Sequence, residues 1–255
     1  MSEMTIPPRA TLIIIGDEIL SGKIQDENTP FLSKELFEMG WQLVEIVVIG
    51  DVPSQIVSTL ERVKKHSDHI FTSGGLGPTH DDKTLEAVAK ATERRLVSSP
   101  MLEKILKTFY RVEALSPAQQ RLALIPEGCT LHYGPDSHYP QVIVDKIYPL
   151  PGIPKLFRKK FRELKDYWPE YDPLLRSSLK MIADETDLAA VLSAISEEHP
   201  EVKLGSYPTE REGQWHLELV LESRSLGPLA AAVESLKKVL SGRDISWDET
   251  PPPSR

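Results

Sequence analysis

The chain alternates between unbroken apolar runs and apolar stripes. Residues 11–15 (TLIII) are continuous, β-branched and closed by Gly16, the pattern of a strand buried on both faces of a parallel sheet. In residues 28–39 (NTPFLSKELFEM) Pro30 falls in the first turn and Phe31, Leu32, Leu36 and Met39 share a face. Gly40 stands at the C-cap position, so this stretch predicts a helix. The unit recurs: 43–50 (LVEIVVIG) reads as a strand, 53–66 as a helix, and 69–73 (HIFTS) as a strand. A further helix starts near Lys83 and buries Leu85, Val88 and Ala89. Strands alternating with helices of this length imply βαβ units and a parallel sheet.

Two amphipathic segments follow between 100 and 125, the first with Leu102, Ile105, Leu106, Phe109 and Val112 at helical spacing. Residues 141–155 (QVIVDKIYPLPGIPK) predict two short strands about a turn at Asp145 and Lys146. They lead into a helix carrying Leu156, Phe157, Phe161 and Leu164. The two prolines of 166–173 (DYWPEYDP) mark a linker. Beyond it come a strand (LKMIA), a helix (DLAAVLSAISEEH), two strands about a turn at Glu212 and Gly213, and a helix with Val233, Leu236 and Val239 aligned. The pattern predicts an α/β domain over 1–168, a small β-α-β-β-α unit over 169–242, and a Pro-rich disordered tail over 243–255.

At 255 residues, 40% hydrophobic and 27% charged, the chain can bury a full core. A formal net charge of -8, without Lys/Arg clusters interleaved with aromatics, argues against nucleic acid as a partner. There is no apolar signal segment, and no run nears the roughly 18 apolar residues of a membrane span, so the expectation is no membrane and a cytoplasmic protein. The single cysteine, Cys129, excludes an intrachain disulfide and a Cys-rich zinc site.

Candidate chemistry gathers where strands end. Residues 72–84 (TSGGLGPTHDDKT) join a strand to a helix, at the carboxyl edge where open α/β sheets bind ligands. Gly74, Gly75 and Gly77 can let amides approach a phosphate, with Ser73, Thr79 and Thr84 as hydroxyl donors; plain turn chemistry is the other reading. Neither the Walker A sequence nor the dinucleotide spacing is present. Asp81 and Asp82 either cap the helix or, beside a phosphate, bind a hard divalent cation. A second loop, 16–28 (GDEILSGKIQDEN), brings Asp17, Glu18, Asp26, Glu27 and Asn28 to the end of the first strand, toward the same crevice or simply into solvent. A third, 151–154 (PGIP), offers the Gly152 amide or is an ordinary turn. His80 is a surface residue or a base, and no Gly-x-Ser-x-Gly elbow supports acyl transfer.

The loops 16–28 and 72–84, joined by a β-α-β stretch, resemble the two signature loops of the MoaB/MogA/gephyrin-type molybdopterin-binding fold. GGLGPTxDD is similar to the CinA (competence/damage-inducible protein A) N-terminal domain, and LPGIP and LGSYP to the molybdopterin-binding-like domain of eukaryotic FAD synthase. The resemblance implies a three-layer α/β domain with a mostly parallel sheet, followed by a small α+β KH-like domain. MogA and gephyrin-type members bind molybdopterin and adenylylate it from Mg-ATP, with acids and a threonine at the positions of Asp51, Asp82 and Thr84. CinA-type and FAD-synthase-type domains are linked to divalent-metal-dependent hydrolysis of ADP-ribose or FAD, and Asp81 beside Asp82 is their feature.

The leading expectation from this resemblance is a metal-dependent hydrolase of a nucleotide diphosphate. Gly74, Gly75, Gly77 and Gly152 would hold the diphosphate, together with Ser73, Asn28, Thr79 and Thr84. Asp82 with Asp81 or Asp17 would bind Mg²⁺, Mn²⁺ or Co²⁺, with K⁺ as a further cation, and Glu18 and Asp51 would orient the water. Two alternatives remain: a molybdopterin-binding or molybdopterin-adenylylating protein, and a non-catalytic nucleotide-sensing module. A homo-oligomer, dimer or trimer, is also implied. SPAQQRLA (116–123) stands where CinA proteins often show TPNN before Gln-Ala. The sequence ends without the amide-hydrolase domain of CinA or the adenylyl-transferring domain of FAD synthase, so neither activity is expected.

Overall fold

Strand β1 (Arg9–Ile15) runs through the middle of the first unit, and its alternate residues build two cores, Leu12 and Ile14 on one face and Ile13 and Ile15 on the other. The computed structural model to which it belongs describes residues 6–135, 137–169 and 171–252, and divides the chain into Met1–Tyr171 and Asp172–Arg255. After β1 the chain forms α1 (Asp17–Leu20), α2 (Asn28–Glu38), β2 (Gln42–Ile49), α3 (Pro53–Val63), β3 (His69–Ser73) and α4 (Thr84–Ala91). It continues through β4 (Leu96–Ser98), α5 (Pro100–Tyr110), α6 (Pro117–Arg121), β5 (Leu124–Pro126), β6 (Thr130–His132), β7 (Gln141–Ile143), β8 (Ile147–Leu150) and α7 (Pro154–Leu164).

The sheet order is β2-β1-β3-β8, with every pairing parallel. Ile56 and Leu60 of α3, Val88 of α4 and Leu102 of α5 cover one face, while Leu32 and Leu36 of α2 and Phe157 and Phe161 of α7 cover the other. This is the three-layer α/β arrangement, and each fully buried Leu or Phe contributes about 1.5–3 kcal/mol. Because β2 lies on one side of β1 and β3 on the other, a crevice opens at the carboxyl ends of β1 and β3. Among the described residues no helix is long and apolar enough to cross a membrane.

Around the two amphipathic segments expected between 100 and 125 the chain also holds β4, β5 and β6, which the pattern does not show, in the antiparallel pairs β4–β5 and β6–β7. Strands of three residues are too short for a period to show. The loop after β1 likewise contains the four-residue helix α1. The first unit ends at Tyr171 rather than Trp168. Trp168 is 6% exposed, and its Nε1 donates to Tyr148 Oη at 2.9 Å, which draws the linker's tryptophan into the core.

The second unit is β9 (Leu175–Ile182), α8 (Glu185–Glu198), β10 (Lys203–Arg211), β11 (Gln214–Ser223), α9 (Leu226–Ser241) and β12 (Trp247–Thr250), in the antiparallel order β10-β11-β9-β12. Glu212 and Gly213 both have positive φ, 51° and 78°, which suits the tight β10–β11 hairpin. The disordered tail expected over 243–255 is corrected in part, because residues 247–250 pair with β9. Ile245 and Trp247 pack on the core formed by Leu179, Leu219 and Leu236, and this anchoring outweighs the polar, proline-rich composition around them. Residues 253–255 lie outside the described residues.

Candidate functional site

The loop after β3 is built around two glycines whose backbone admits no side chain. Gly74 has φ +109°, and a Cβ there would lie 2.1 Å from the Ile15 carbonyl oxygen. Gly75 has φ +66°, and its Cβ would lie 2.3 Å from Thr84 Oγ1. The Gly74 amide donates to Leu150 O (3.1 Å), the Gly74 carbonyl accepts from Thr84 Oγ1 (2.8 Å), and the Thr84 amide donates to Gly75 O (3.1 Å). Gly74 and Thr84, expected as phosphate contacts, therefore frame the loop instead: one amide is already engaged and the threonine is fully buried. The amides of Gly75, Leu76 and Gly77 donate to no group among the described residues, so they are the ones available to an anion.

Asp82 closes this loop. Its Oδ2 accepts from the Thr79 amide (2.8 Å) and the Thr79 hydroxyl (2.5 Å), while its Oδ1 has no partner among the described residues. Asp81 is exposed, with His80 Nδ1 3.9 Å away. The nearby Thr79 hydroxyl, then its own amide, with His80 and Arg121 adding, holds the Asp81 carboxyl below the usual carboxylate range.

The loops after β1 and β2 meet at Asp17 and Asp51, where the Asp17 amide donates to Asp51 Oδ2 at 3.1 Å. Burial pushes the Asp51 carboxyl above its ordinary value; the Asp17 amide opposes this, and the charges of Glu18, Asp17 and Asp81 add to it. Acids from three loops thus share one field. They are all hard oxygen donors, a set that suits an ion of the magnesium class, which takes one or two carboxylates and completes its shell with water and phosphate. They do not form a closed cage: among the described residues no group of three or more His, Cys, Asp or Glu side chains could hold a metal ion.

Asn28 ties three loops together. It is 5% exposed, and its Nδ2 donates to Ser73 Oγ (2.9 Å) and to Gly152 O (2.8 Å), while Asp26 Oδ1 accepts from its amide (2.8 Å). The Asn28 Oδ1 is buried without a partner. Gly152 comes close to Gly74, since a Cβ on Gly152 would lie 3.3 Å from the Gly74 Cα. The Gly152 amide has no acceptor among the described residues, and α7 begins just beyond it without a side-chain cap.

Two cavities open here. One, of about 490 Å³, is lined by Glu18, Asp26, Asn28, Ser73 and Gly152. The other, of about 420 Å³, lies toward Leu85, Leu122, Leu124 and Tyr139. Gly75, Leu76, Gly77, Asp82, Pro151 and Leu156 line both. Arg121 borders the second cavity and donates to the Asp82 carbonyl (3.4 Å). It ends α6, which a Ser116–Gln119 capping box starts. The S-x-x-Q signal is visible in the sequence, but it does not tell where Arg121, two residues on, will land in space; that depends on α6 meeting the β3 loop. Cys129 is half-buried and burial raises its thiol, so it is not an activated nucleophile.

The chain matches the family described as "Probable molybdopterin binding domain" over residues 11–170 and "FAD synthase, middle domain" over 173–249. A "Probable FAD synthase" of Caenorhabditis elegans is 31% identical across 94% of this chain and 51% of its own length. A "CinA-like protein" of Myxococcus xanthus is 29% identical across 90% of this chain and 58% of its own. The chain thus spans about half the length of the curated relatives it matches. The crystal structure of "the protein CinA with unknown function" from Thermoplasma acidophilum is similar at a TM-score of 0.59 and 28% identity, covering 63% of this chain and 98% of that one.

Proposed function

Because the chain belongs to the family described as "Probable molybdopterin binding domain", we propose that it is a divalent-metal-dependent hydrolase of a nucleotide diphosphate of the ADP-ribose or FAD type. The observation that carries this reading is the meeting of unengaged amides at Gly75, Leu76, Gly77 and Gly152 with acids from three neighbouring loops. The match of 173–249 to the FAD synthase middle domain supports a nucleotide over a pterin.

Asp82, through Oδ1, with Asp81 or Asp17 would hold the ion, Mg²⁺, Mn²⁺ or Co²⁺, with water and phosphate completing its shell and K⁺ as a further cation. When bound, such an ion neutralises phosphate and carboxylate charge and lowers the pKa of the attacking water. The free amides bind the diphosphate oxygens, and Arg121 adds positive charge where negative charge develops. Asp51 is fixed through Oδ2 by the Asp17 amide, which leaves its Oδ1 to take the proton from water. Glu18 helps to orient that water. A new P–O bond forms, the bridging P–O bond breaks, and two phosphate monoesters leave: from ADP-ribose, AMP and ribose 5-phosphate. A cytoplasmic location and a homo-oligomer, dimer or trimer, belong to the same reading. The exposed Val44, Ile46 and Val48 on the edge strand β2 support the oligomer.

The test is AMP release from ADP-ribose and FAD by the purified chain with each metal. Metal-dependent release is expected, falling about 10²-fold or more in Asp51→Asn and strongly in Asp82→Ala. No release, or release indifferent to both changes, overturns the proposal. Molybdopterin-AMP formed from ATP would replace it with adenylyl transfer to a pterin. Tight nucleotide binding without turnover would replace it with a sensing module.

A further inference from the structure

Arg121 reaches the loop after β3 from the last position of α6, a helix of only five residues. So short a helix is not stable by itself, and where its last side chain stands depends on what holds its two ends. The start is held by the capping box of Ser116 and Gln119. The end is held from outside: Tyr139 Oη donates to the carbonyl of Leu122, the residue after Arg121, at 2.6 Å. The next carbonyl, of Ala123, accepts from the Ser99 amide (2.9 Å) and anchors the chain beyond the helix. Burial, with Tyr110 adding, pushes the Tyr139 phenol up to about 12, so at neutral pH it keeps the proton it donates. Tyr139 is fixed in turn. Its carbonyl accepts from Lys160 Nζ of α7 (2.5 Å), which also donates to Ser137 Oγ (2.7 Å) and Glu163 Oε2 (2.9 Å). The Lys160 and Glu163 side chains are 16% and 9% exposed, so little water competes for their bond. At the far end Arg121 Nη2 donates to Asp82 O at 3.4 Å, longer than the roughly 2.7–3.2 Å of ordinary N–H···O bonds. That contact has little hold of its own, so the backbone beneath Arg121 decides where the guanidinium sits.

We propose that Tyr139 is a positioning residue for Arg121: it fixes the end of α6 so that the guanidinium stands beside Asp82, and Lys160 with Glu163 holds Tyr139 in place. This rests on the hydrolase reading for what the guanidinium does there, whereas the positioning rests on the bonds that run from Glu163 to Asp82. Tyr139 and Lys160 both line the 420 Å³ cavity, but the one proton of the phenol and the three of the ammonium are all committed to these partners. They therefore act through Arg121 rather than as donors to a ligand. The leverage is large, because a displacement of about 1 Å in a group that must meet developing charge can cost about 10²-fold in rate.

The experiment is a double-variant cycle on the full chain with Tyr139→Phe and Arg121→Ala. It is read by the calorimetric affinity for inorganic pyrophosphate in Mg²⁺ and by kcat/KM for AMP release from ADP-ribose. Tyr139→Phe is expected to lower both about tenfold, and Arg121→Ala by at least as much. Because the tyrosine acts through the arginine, adding Tyr139→Phe to Arg121→Ala should lower neither by more than about twofold. A merely structural tyrosine would carry its full loss into the arginine-free chain, and that result overturns the proposal. So does a Tyr139→Phe chain equal to the wild type, or a wild type that neither binds pyrophosphate nor releases AMP. If Tyr139→Phe does not fold, Lys160→Arg takes its place, keeping the charge beside Glu163 while moving the donors that hold Tyr139. Its loss must likewise vanish without Arg121; a loss that persists there, or no loss at all, overturns the proposal. Coupling in pyrophosphate affinity with no AMP released removes the hydrolase reading and leaves the positioning; AMP release with independent losses does the reverse.

Discussion

Replacing Asn28 by alanine tests the clamp that holds the site's loops together. The change removes the Nδ2 bonds to Ser73 Oγ (2.9 Å) and Gly152 O (2.8 Å) from a side chain 5% exposed. Two such bonds are worth about 2 kcal/mol net. The small void adds up to about 1 kcal/mol, and deleting the unpartnered Oδ1 returns a similar amount, so the expected cost is about 2 kcal/mol. For a unit of this size that corresponds to roughly 4–8 °C in Tm. Urea unfolding followed by tryptophan fluorescence reads it in a chain whose second-unit Trp215 and Trp247 are replaced by Phe, because Trp41 and Trp168 are 4% and 6% exposed in the first unit. A cycle with Ser73→Ala isolates the shared bond, with a coupling of about 1 kcal/mol. A loss below about 0.5 kcal/mol for Asn28→Ala, or additivity in the cycle, would refute the clamp.

Thr84→Val should cost about 1–2 kcal/mol through the lost bond to Gly74 O and leave that carbonyl unpaired; normal stability with phosphate affinity lost would instead return Thr84 to the binding surface. Gly75→Ala should cost well over the ~1 kcal/mol expected of Gly22→Ala, since both glycines have positive φ but only Gly75 would drive its Cβ into Thr84; equal costs in denaturation would remove the collision from the account. His69 is pushed down by burial to about 4 from an ordinary 6.5. Its neutral form is therefore favoured in the folded state, and that share of stability is present above pH 6.5 and is lost as pH falls toward 4. An imidazole NMR titration midpoint near 6.5 would contradict this. Ile46→Lys on the exposed edge should shift light scattering toward the monomer, and a wild-type chain that is already monomeric would end the oligomer reading.

The local pattern was enough for β1, α2, β3 and the turns at Asp145 and Glu212, because a buried run, a stripe with a proline start, or a residue with positive φ declares itself over a few neighbours. It was enough to bring the candidate loops together too, since the glycine-rich and acidic loops follow parallel strands and must sit at one edge of the sheet. Strands β4, β5 and β6 escaped because three residues carry no period, and β12 because Trp247 is anchored by a core remote in sequence. The roles within the site depended on partners that no window of sequence contains. Asn28 bonds a carbonyl 124 residues away, Arg121 a carbonyl 39 residues away, and Asp51 an amide 34 residues away. Whether an amide is left unengaged or already bonded, as Gly77 and Gly74 differ among the described residues, is settled by which strand ends lie beside it, and that follows from packing the whole sheet.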